Sequence, residues 1–114
     1  MGASATREIG SSKSNRSNGT ELELIAEMCS SWGYGGMKDQ VIGLIKELNE
    51  KGYDVKYTLE PQSGGNGEFF VYVMKGGNKN IAFSNNKKHG CVIDNKITSK
   101  NMSNIILKIE ELIK

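Results

Sequence analysis

The spacing of apolar residues changes twice along the first half of this chain, and that change most constrains the fold. Between residues 21 and 29, apolar and polar side chains alternate, which predicts a strand with one buried face. From Met37 to Glu50 the apolar residues recur every three or four positions, as on one face of a helix. Gly52 marks the end of that helix, and residues 53–59 alternate again. Strand, helix and strand in this order form a βαβ unit with parallel strands.

The second half of the chain has the pattern of a hairpin followed by a helix. Residues 68–74 are rich in aromatic and β-branched residues and predict a strand, and the segment KGGNK predicts a tight turn into another strand at residues 80–84. After a polar loop over residues 85–97, Thr98 or Ser99 is placed to cap a last helix. Its apolar face consists of Met102, Ile105, Ile106, Ile109, Leu112 and Ile113. The element order β-α-β-β-β-α predicts an α/β fold, a two-layer domain with a four-stranded mixed sheet.

Composition predicts one folded domain behind a tail. The chain has 114 residues, of which 37% are hydrophobic and 25% are charged, as in ordinary globular proteins. Residues 1–20 are rich in Ser, Gly and Asn and poor in apolar residues, so they predict a disordered tail, and residues 21–114 form the domain. The net charge of +2 is too small, and the lysines are too scattered, to indicate a nucleic-acid partner.

One short sequence pattern, at the N-terminus, indicates possible contact with a membrane. The first six residues, MGASAT, match the pattern for myristoylation of Gly2, and Arg7, Lys13 and Arg16 would add attraction to anionic lipid. Such short patterns often match by chance, so we favour a plain tail over a lipid-anchored adaptor. The sequence contains no run of about 18 apolar residues that could span a bilayer. Two cysteines do not make a disulfide framework, and we therefore expect a reducing, cytoplasmic location.

Cys29 is the residue that most suggests chemistry. It ends the first predicted strand, is followed by Ser30 and Ser31, and precedes the first predicted helix. Backbone N–H groups and the helix dipole stabilise a thiolate at such a position and lower the pKa of the thiol, which makes it a nucleophile near neutral pH. The alternative is a buried structural cysteine, a common role for this residue. We favour nucleophilic or redox chemistry because the position lies at a strand end and before a helix.

Topology predicts which loops accompany Cys29. If the third strand runs antiparallel to the first, the turn after Cys29, the glycine-rich loop at residues 63–67 and the loop with His89 and Cys91 share one edge of the sheet. Sites in open α/β sheets usually form at that edge. The glycine-rich loop lies between two strands and is not followed by a helix, so it does not predict a phosphate site. One His and two Cys do not complete a zinc site, and no metal is predicted.

The turn after Cys29 resembles the redox turn of the selenoprotein W, T and H family, whose members have a thioredoxin-like fold. That family carries Cys-x-x-Sec or Cys-x-x-Cys, often followed by Gly-Tyr, and this chain has Cys29-Ser30-Ser31-Trp32-Gly33-Tyr34. Three further segments resemble selenoprotein W in the same order: Pro61-Gln62, Gly67-Glu68-Phe69-Phe70-Val71 and Ile81-Ala82-Phe83-Ser84. The resemblance covers roughly residues 22–114. It implies a thioredoxin-like protein with thiol- or selenol-based redox chemistry and with glutathione as a reductant.

Trp32 is the departure from that family. It occupies the position of the Sec or Cys, and an indole cannot form a selenenylsulfide or a disulfide. Sec is encoded by UGA, a codon that readthrough or a variant genetic code decodes as Trp. We therefore favour the hypothesis that residue 32 is natively Sec, with Ser30, Ser31 and Gly33 completing the redox turn. The alternative is a genuine Trp32 whose aromatic side chain covers the cysteine or stacks on a ligand.

Two functions follow from these alternatives. In the first, Cys29 attacks a disulfide or forms a mixed disulfide with glutathione or a thiol-containing protein, and residue 32 is its partner. In the second, Trp32 blocks the redox turn, and the chain is a non-catalytic protein-binding module of the same fold. If Trp32 is genuine, Cys91 is the candidate to resolve an oxidised Cys29, provided that their Cα atoms come within about 7 Å. The simpler interpretations are a thiol in a surface loop for Cys91 and a solvated side chain for His89.

Overall fold

The structure is a computed structural model that describes residues 6–16, 18–31, 33–63, 67–86 and 90–114. Within these residues the chain forms two helices and a six-stranded mixed sheet, which confirms the α/β class. The strands are β1 (Glu8–Ser12), β2 (Thr20–Cys29), β3 (Tyr53–Gln62), β4 (Phe69–Lys75), β5 (Asn78–Ser84) and β6 (Val92–Ile93). The helices are α1 (Tyr34–Glu50) and α2 (Met102–Leu112).

The sheet is built around the predicted βαβ unit. Its strand order is β1-β3-β2-β4-β5-β6. β2 and β3 are parallel, as predicted, and pair from Thr20 opposite Tyr53 to Cys29 opposite Gln62. β4 runs antiparallel to β2 on its other side, and β5 runs antiparallel to β4. Cys29 therefore ends a central strand of the sheet.

The hairpin between β4 and β5 is confirmed together with its turn. Gly76 and Gly77 adopt φ angles of 62° and 81°, in the left-handed region that glycine tolerates. Two successive residues of this kind match the right-handed twist of the flanking strands. Turn chemistry is therefore enough to identify this hairpin.

Two strands add to the four that the sequence predicts. Residues 8–12, within the stretch predicted as a disordered tail, form β1, which pairs antiparallel with β3. Residues 92–93, within the predicted polar loop, form β6, which pairs in parallel with β5. Both lie at sheet edges and lack a long run of alternating apolar residues, which is the signal that marks a strand in a sequence. The predicted four-stranded sheet is corrected to six strands.

Two of the predicted elements are longer in the structure. β3 continues to Gln62, although residues 60–67 are predicted as a loop, because it remains paired with β2 as far as Cys29. α1 begins at Tyr34 rather than at Met37, so the turn after Cys29 is shorter than predicted.

The start of α2 differs from the prediction in its cap. The N-cap is Asn101 rather than Thr98 or Ser99. Asn101 is buried, its Oδ1 accepts the Thr98 backbone N–H at 2.9 Å, and its amide donates to Asp94 at 2.8 Å. One buried amide therefore joins the loop before α2 to the start of the helix.

Both helices cover the same face of the sheet. α1 packs over β2 and β3, α2 packs over β4, β5 and β6, and the two helices touch each other. The core lies between these two layers, and the residues that β2 contributes to it alternate along the strand: Leu22, Leu24, Ala26 and Met28. Within the described ranges, the opposite face of the sheet is not covered by a helix. The described part of the chain contains no helix with the length and apolar character required to cross a membrane.

β1 is attached to the domain mainly by polar contacts. Lys38 on α1 forms an ion pair with Glu8 at 2.8 Å. Asn49, which is buried near the end of α1, donates a hydrogen bond to the Ser12 carbonyl at 3.1 Å. Ile9, the large apolar residue of the strand, remains 74% exposed. β1 therefore adds hydrogen bonds and charge pairing to the sheet, and little apolar burial.

Candidate functional site

The carboxyl ends of β2 and β3 meet at one edge of the sheet, and Cys29 lies there. The Gln62 carbonyl oxygen accepts the Ser30 N–H at 2.9 Å and the Ser30 hydroxyl at 3.1 Å. On the other side, the Cys29 N–H donates to the Glu68 carbonyl at 2.9 Å. The turn after Cys29 is therefore bonded to the end of β3 and to the residue before β4. This agrees with the part of the prediction that brings the turn after Cys29 to the two ends of the glycine-rich loop, between β3 and β4.

The Cys29 side chain is fully buried, with 0% of its surface exposed. Its Sγ lies 3.2 Å from the Oγ of Ser31, a residue that is itself exposed. The strand-end position was expected to argue against a buried cysteine, and the structure corrects this, since Cys29 belongs to the buried core cluster. The alternation of β2, which points Met28 into the core, does not account for this burial, because neighbouring residues of a strand face opposite sides. The sulfur is nevertheless in contact with a hydroxyl that reaches the surface.

α1 begins close to Cys29 without a side-chain cap. Its N-cap, Gly33, has a φ angle of 79°, in the left-handed region, and its carbonyl accepts the Met37 N–H at 3.0 Å. The first turn of α1 contains no acidic residue. Among the described residues, no side chain therefore caps the first N–H groups, and no carboxylate of that turn neutralises the positive end of the helix dipole. A helix N-terminus of this kind stabilises a thiolate beside it, whereas burial of the sulfur opposes ionisation of the thiol.

Several residues of the predicted site lie outside the described residues. Trp32, at the position of the expected Sec, is one of them, and the structure tests neither hypothesis about it. The same holds for Gly64 and Gly65 of the glycine-rich loop and for His89. The described part of the site consists of residues 30–31 and 33–34, the last residues of β2 and β3, and the start of β4.

Cys91 lies far from Cys29 across the sheet. It precedes β6, which is separated from β2 by two intervening strands, β4 and β5. Neighbouring strands lie about 4.8 Å apart, so three steps across the sheet correspond to about 14 Å. A disulfide requires Cα atoms within about 7 Å, and the two cysteines are not near that distance. The structure does not bring Cys91 into position to resolve Cys29, and its half-buried location fits the simpler interpretation.

A cluster that sequence reasoning missed lies on the helix-free face, near the same edge. Glu27 forms an ion pair with Lys79 at 2.8 Å, and the Lys79 Nζ lies 4.8 Å from the centre of the Tyr72 ring. Burial, followed by the charge of Glu27, raises the pKa of Tyr72. The hydrogen bond to Glu27 raises the pKa of Lys79. No sequence signal identifies this cluster, because its members come from three different strands and each resembles an ordinary surface residue.

Tyr34, the first residue of α1, also differs from an ordinary surface tyrosine. Its hydroxyl is buried and has no hydrogen-bond partner among the described residues. Burial is the main cause that raises the pKa of Tyr34, and the carboxylate of Glu8 adds to it. The phenol therefore remains protonated at neutral pH and does not act as a base beside the turn.

Neither a metal centre nor a known relative assigns a role to this edge of the sheet. Among the residues that the structure describes, no group of three His, Cys, Asp or Glu side chains is placed to hold a metal ion. Comparisons of the chain with protein-family models, with curated proteins and with solved structures find no match. The case for a function therefore rests on the geometry around Cys29.

Proposed function

We propose that this protein is a thiol-based redox protein of thioredoxin-like fold, in which Cys29 forms a mixed disulfide with glutathione or with a cysteine of a partner protein. One observation carries the proposal: Cys29 ends a central strand, and the N-terminus of α1, which has no side-chain cap, follows after the turn over residues 30–33. Backbone N–H groups and the helix dipole favour the thiolate there. The thiolate is the form of cysteine that reacts with disulfides.

The fold is part of the proposal. Apart from the two-residue β6 before α2, the order β2-α1-β3-β4-β5-α2 is the element order over which the sequence resembles the selenoprotein W, T and H family. In this view residues 21–114 form the thioredoxin-like domain, and β1 is added at its edge. A reducing cytoplasm, whose glutathione pool supplies the reductant, is the location that goes with this proposal.

The proposed reaction is thiol–disulfide exchange. The Cys29 thiolate attacks one sulfur of a disulfide, a new S–S bond forms, and the old S–S bond breaks. The leaving sulfur departs as a thiolate with the electron pair and takes a proton from water. A second thiol then attacks the mixed disulfide and releases Cys29. That thiol comes from glutathione when residue 32 is Trp. A Sec at position 32 instead attacks the Cys29 sulfur, forms a selenenylsulfide with it and expels the substrate thiolate, and glutathione then reduces the selenenylsulfide to release Cys29.

The full burial of Cys29 supports a second candidate function. A sulfur with no exposed surface is out of reach of a protein disulfide until the residues that follow it move. If the turn stays closed, Cys29 is a core residue and the domain is a non-catalytic protein-binding module of the same fold.

Competitive alkylation of the two cysteines separates the two functions. Access alone predicts that half-buried Cys91 reacts faster than buried Cys29. An activated Cys29 thiolate predicts the reverse order below pH 7. Short pulses of iodoacetamide, followed by peptide mass spectrometry, measure both rates in one sample, and Cys29→Ser and Cys91→Ser variants verify the assignment. Faster alkylation of Cys91 contradicts the redox proposal and favours the binding module.

Turnover provides the direct test. With glutathione as reductant and a small disulfide as substrate, we expect Cys29→Ser to abolish activity and Cys91→Ser to retain it. Trp32→Cys restores a Cys-x-x-Cys turn, and we expect it to raise activity and to form a disulfide with Cys29. A variant that stays fully reduced under oxidant would contradict the assignment of this turn. The codon for residue 32 in the native gene, UGA or UGG, decides which form of the turn is natural.

A further inference from the structure

The two serines after Cys29 are used differently. The Ser30 hydroxyl donates to the Gln62 carbonyl at 3.1 Å, so it helps to fasten the turn to β3. The Ser31 hydroxyl lies 3.2 Å from the Cys29 sulfur. Ser31 is exposed, whereas Cys29 is fully buried. Of these neighbouring hydroxyls, one contacts the backbone and the other joins the sulfur to the surface.

A thiolate at this depth requires hydrogen-bond donors. Burial disfavours the charged form of any ionisable group, and a donor directed at the charge offsets part of that cost. A serine hydroxyl is both a donor and an acceptor. It accepts from the S–H group of the neutral thiol and, by rotation about its C–O bond, donates to the sulfur of the thiolate. The same contact therefore serves both protonation states.

We propose that Ser31 is a positioning residue for Cys29, and that its hydroxyl donates a hydrogen bond to the thiolate and links the buried sulfur to solvent. The inference rests on the proposed function, since it requires Cys29 to react as a thiolate. The start of α1 and the Ser31 hydroxyl act on the same charge from two sources. Hydrogen bonds to charged groups are the stronger ones, so the hydroxyl contributes a measurable share.

The test uses the full chain with Cys91→Ser, in which Cys29 is the only cysteine. Ser31→Thr and Ser31→Val form a matched pair, because their side chains have nearly the same shape and differ in the hydroxyl. Ser30→Ala is the positional control, since it removes the neighbouring hydroxyl that bonds to the backbone. The readouts are the rate constant for alkylation by iodoacetamide at neutral pH and the ultraviolet absorbance of the thiolate. Thermal unfolding confirms that each variant is folded.

We expect Ser31→Val to lower the alkylation rate about tenfold relative to Ser31→Thr, with a parallel loss of thiolate absorbance. Ser31→Thr should stay within about threefold of the parent, because it keeps the donor to sulfur. Ser30→Ala should not slow alkylation, because it removes a bond that fastens the turn and leaves that donor in place. The inference is overturned if the Val and Thr variants react alike, if the Val variant reacts faster, or if Ser30→Ala matches its loss. If Ser31 only shaped the turn, threonine at this position would not restore the alkylation rate that valine loses.

The parent protein distinguishes failure of this inference from failure of the proposed function. A parent whose Cys29 reacts rapidly, combined with equal rates for the Thr and Val variants, overturns the role of Ser31 alone. A parent whose Cys29 shows no thiolate absorbance, and reacts more slowly than Cys91 does in the unsubstituted chain, overturns both.

Discussion

Cys29 and Cys91 lie in one small sheet but occupy different kinds of position. Cys29 ends a central strand that is paired on both sides, and α1 begins shortly after it. Cys91 precedes the two-residue edge strand β6, and an extended loop rather than a helix follows that strand. Cys91 is the more accessible of the two, and Cys29 has the helix terminus and the Ser31 hydroxyl beside it. In this fold, the position that is more accessible to a reagent, Cys91, is therefore not the position whose surroundings favour the thiolate, Cys29.

The largest expected difference between the two regions is in how much a substitution beside each cysteine lowers the free energy of unfolding. Phe69 lies opposite Met28 in the register, is 1% exposed and has its ring centre 5.1 Å from that of Phe83. We expect Phe69→Ala to lower the free energy of unfolding by about 3–5 kcal/mol, because it opens a cavity in the core. Val92→Ala, beside Cys91 on half-buried β6, should cost about 1 kcal/mol. Urea denaturation measures both, and equal losses would break the contrast between a core site and an edge site.

Two glycines with nearly the same backbone conformation sharpen the comparison. Gly33 beside the Cys29 turn and Gly90 beside Cys91 have φ angles of 79° and 78°. An added Cβ lies 3.6 Å from Met37 at Gly33 and meets no described atom within 4 Å at Gly90, so alanine costs about 1 kcal/mol at each through backbone strain.

The two glycine variants should nevertheless have separate effects on reactivity. We expect Gly33→Ala to speed alkylation of Cys29 several-fold, because strain in the closed turn favours its opening, and to leave Cys91 unchanged. Gly90→Ala should alter Cys91 alone. The competitive alkylation experiment measures both rates, and an effect of Gly90→Ala on Cys29 would show that the two regions are coupled.

The smallest expected difference concerns two ion pairs. Lys79→Met removes the bridge to Glu27, whose side chain is mostly covered, and should cost about 0.5–1 kcal/mol. Lys108→Met removes the exposed pair with Glu111 on α2, one of the residues near Cys91, and should cost about 0.3 kcal/mol. Both costs should shrink at high salt because salt screens the charges. A larger loss for Lys108→Met would reverse the ranking of the two regions.

The central half of the fold could be predicted because its elements bury continuous apolar faces. The alternation of β2, the helical spacing of α1 and the glycine pair at Gly76 and Gly77 each carry a local signal. β1 carries no such signal, since it is held by contacts such as Glu8 with Lys38 that join distant parts of the chain. β6 is too short for any periodicity.

The candidate site was predictable in its placement and not in its environment. Parallel strands end at the same edge of a sheet, so topology alone locates Cys29 beside the end of β3. The burial of its sulfur and the contact with Ser31 depend on side-chain directions that spacing does not determine. The same topological argument places Cys91 at this edge. In the structure Cys91 precedes β6, which pairs in parallel with β5 from Val92 opposite Phe83 and is separated from β2 by two strands.

The pairing of β1 with β3 also affects how the chain folds during synthesis. Glu8 pairs with Leu59 and Ser12 with Val55, so β1 has no partner strand until β3 has left the ribosome. Contacts between residues so far apart in sequence form late, because a long loop must close before they gain any stabilisation. Before β3 is available, packing of β1 against the nascent core would bury little apolar surface, since the Ile9 side chain is mostly exposed even in the finished fold. A strand that is made early therefore joins the sheet late, after the βαβ unit that receives it has formed.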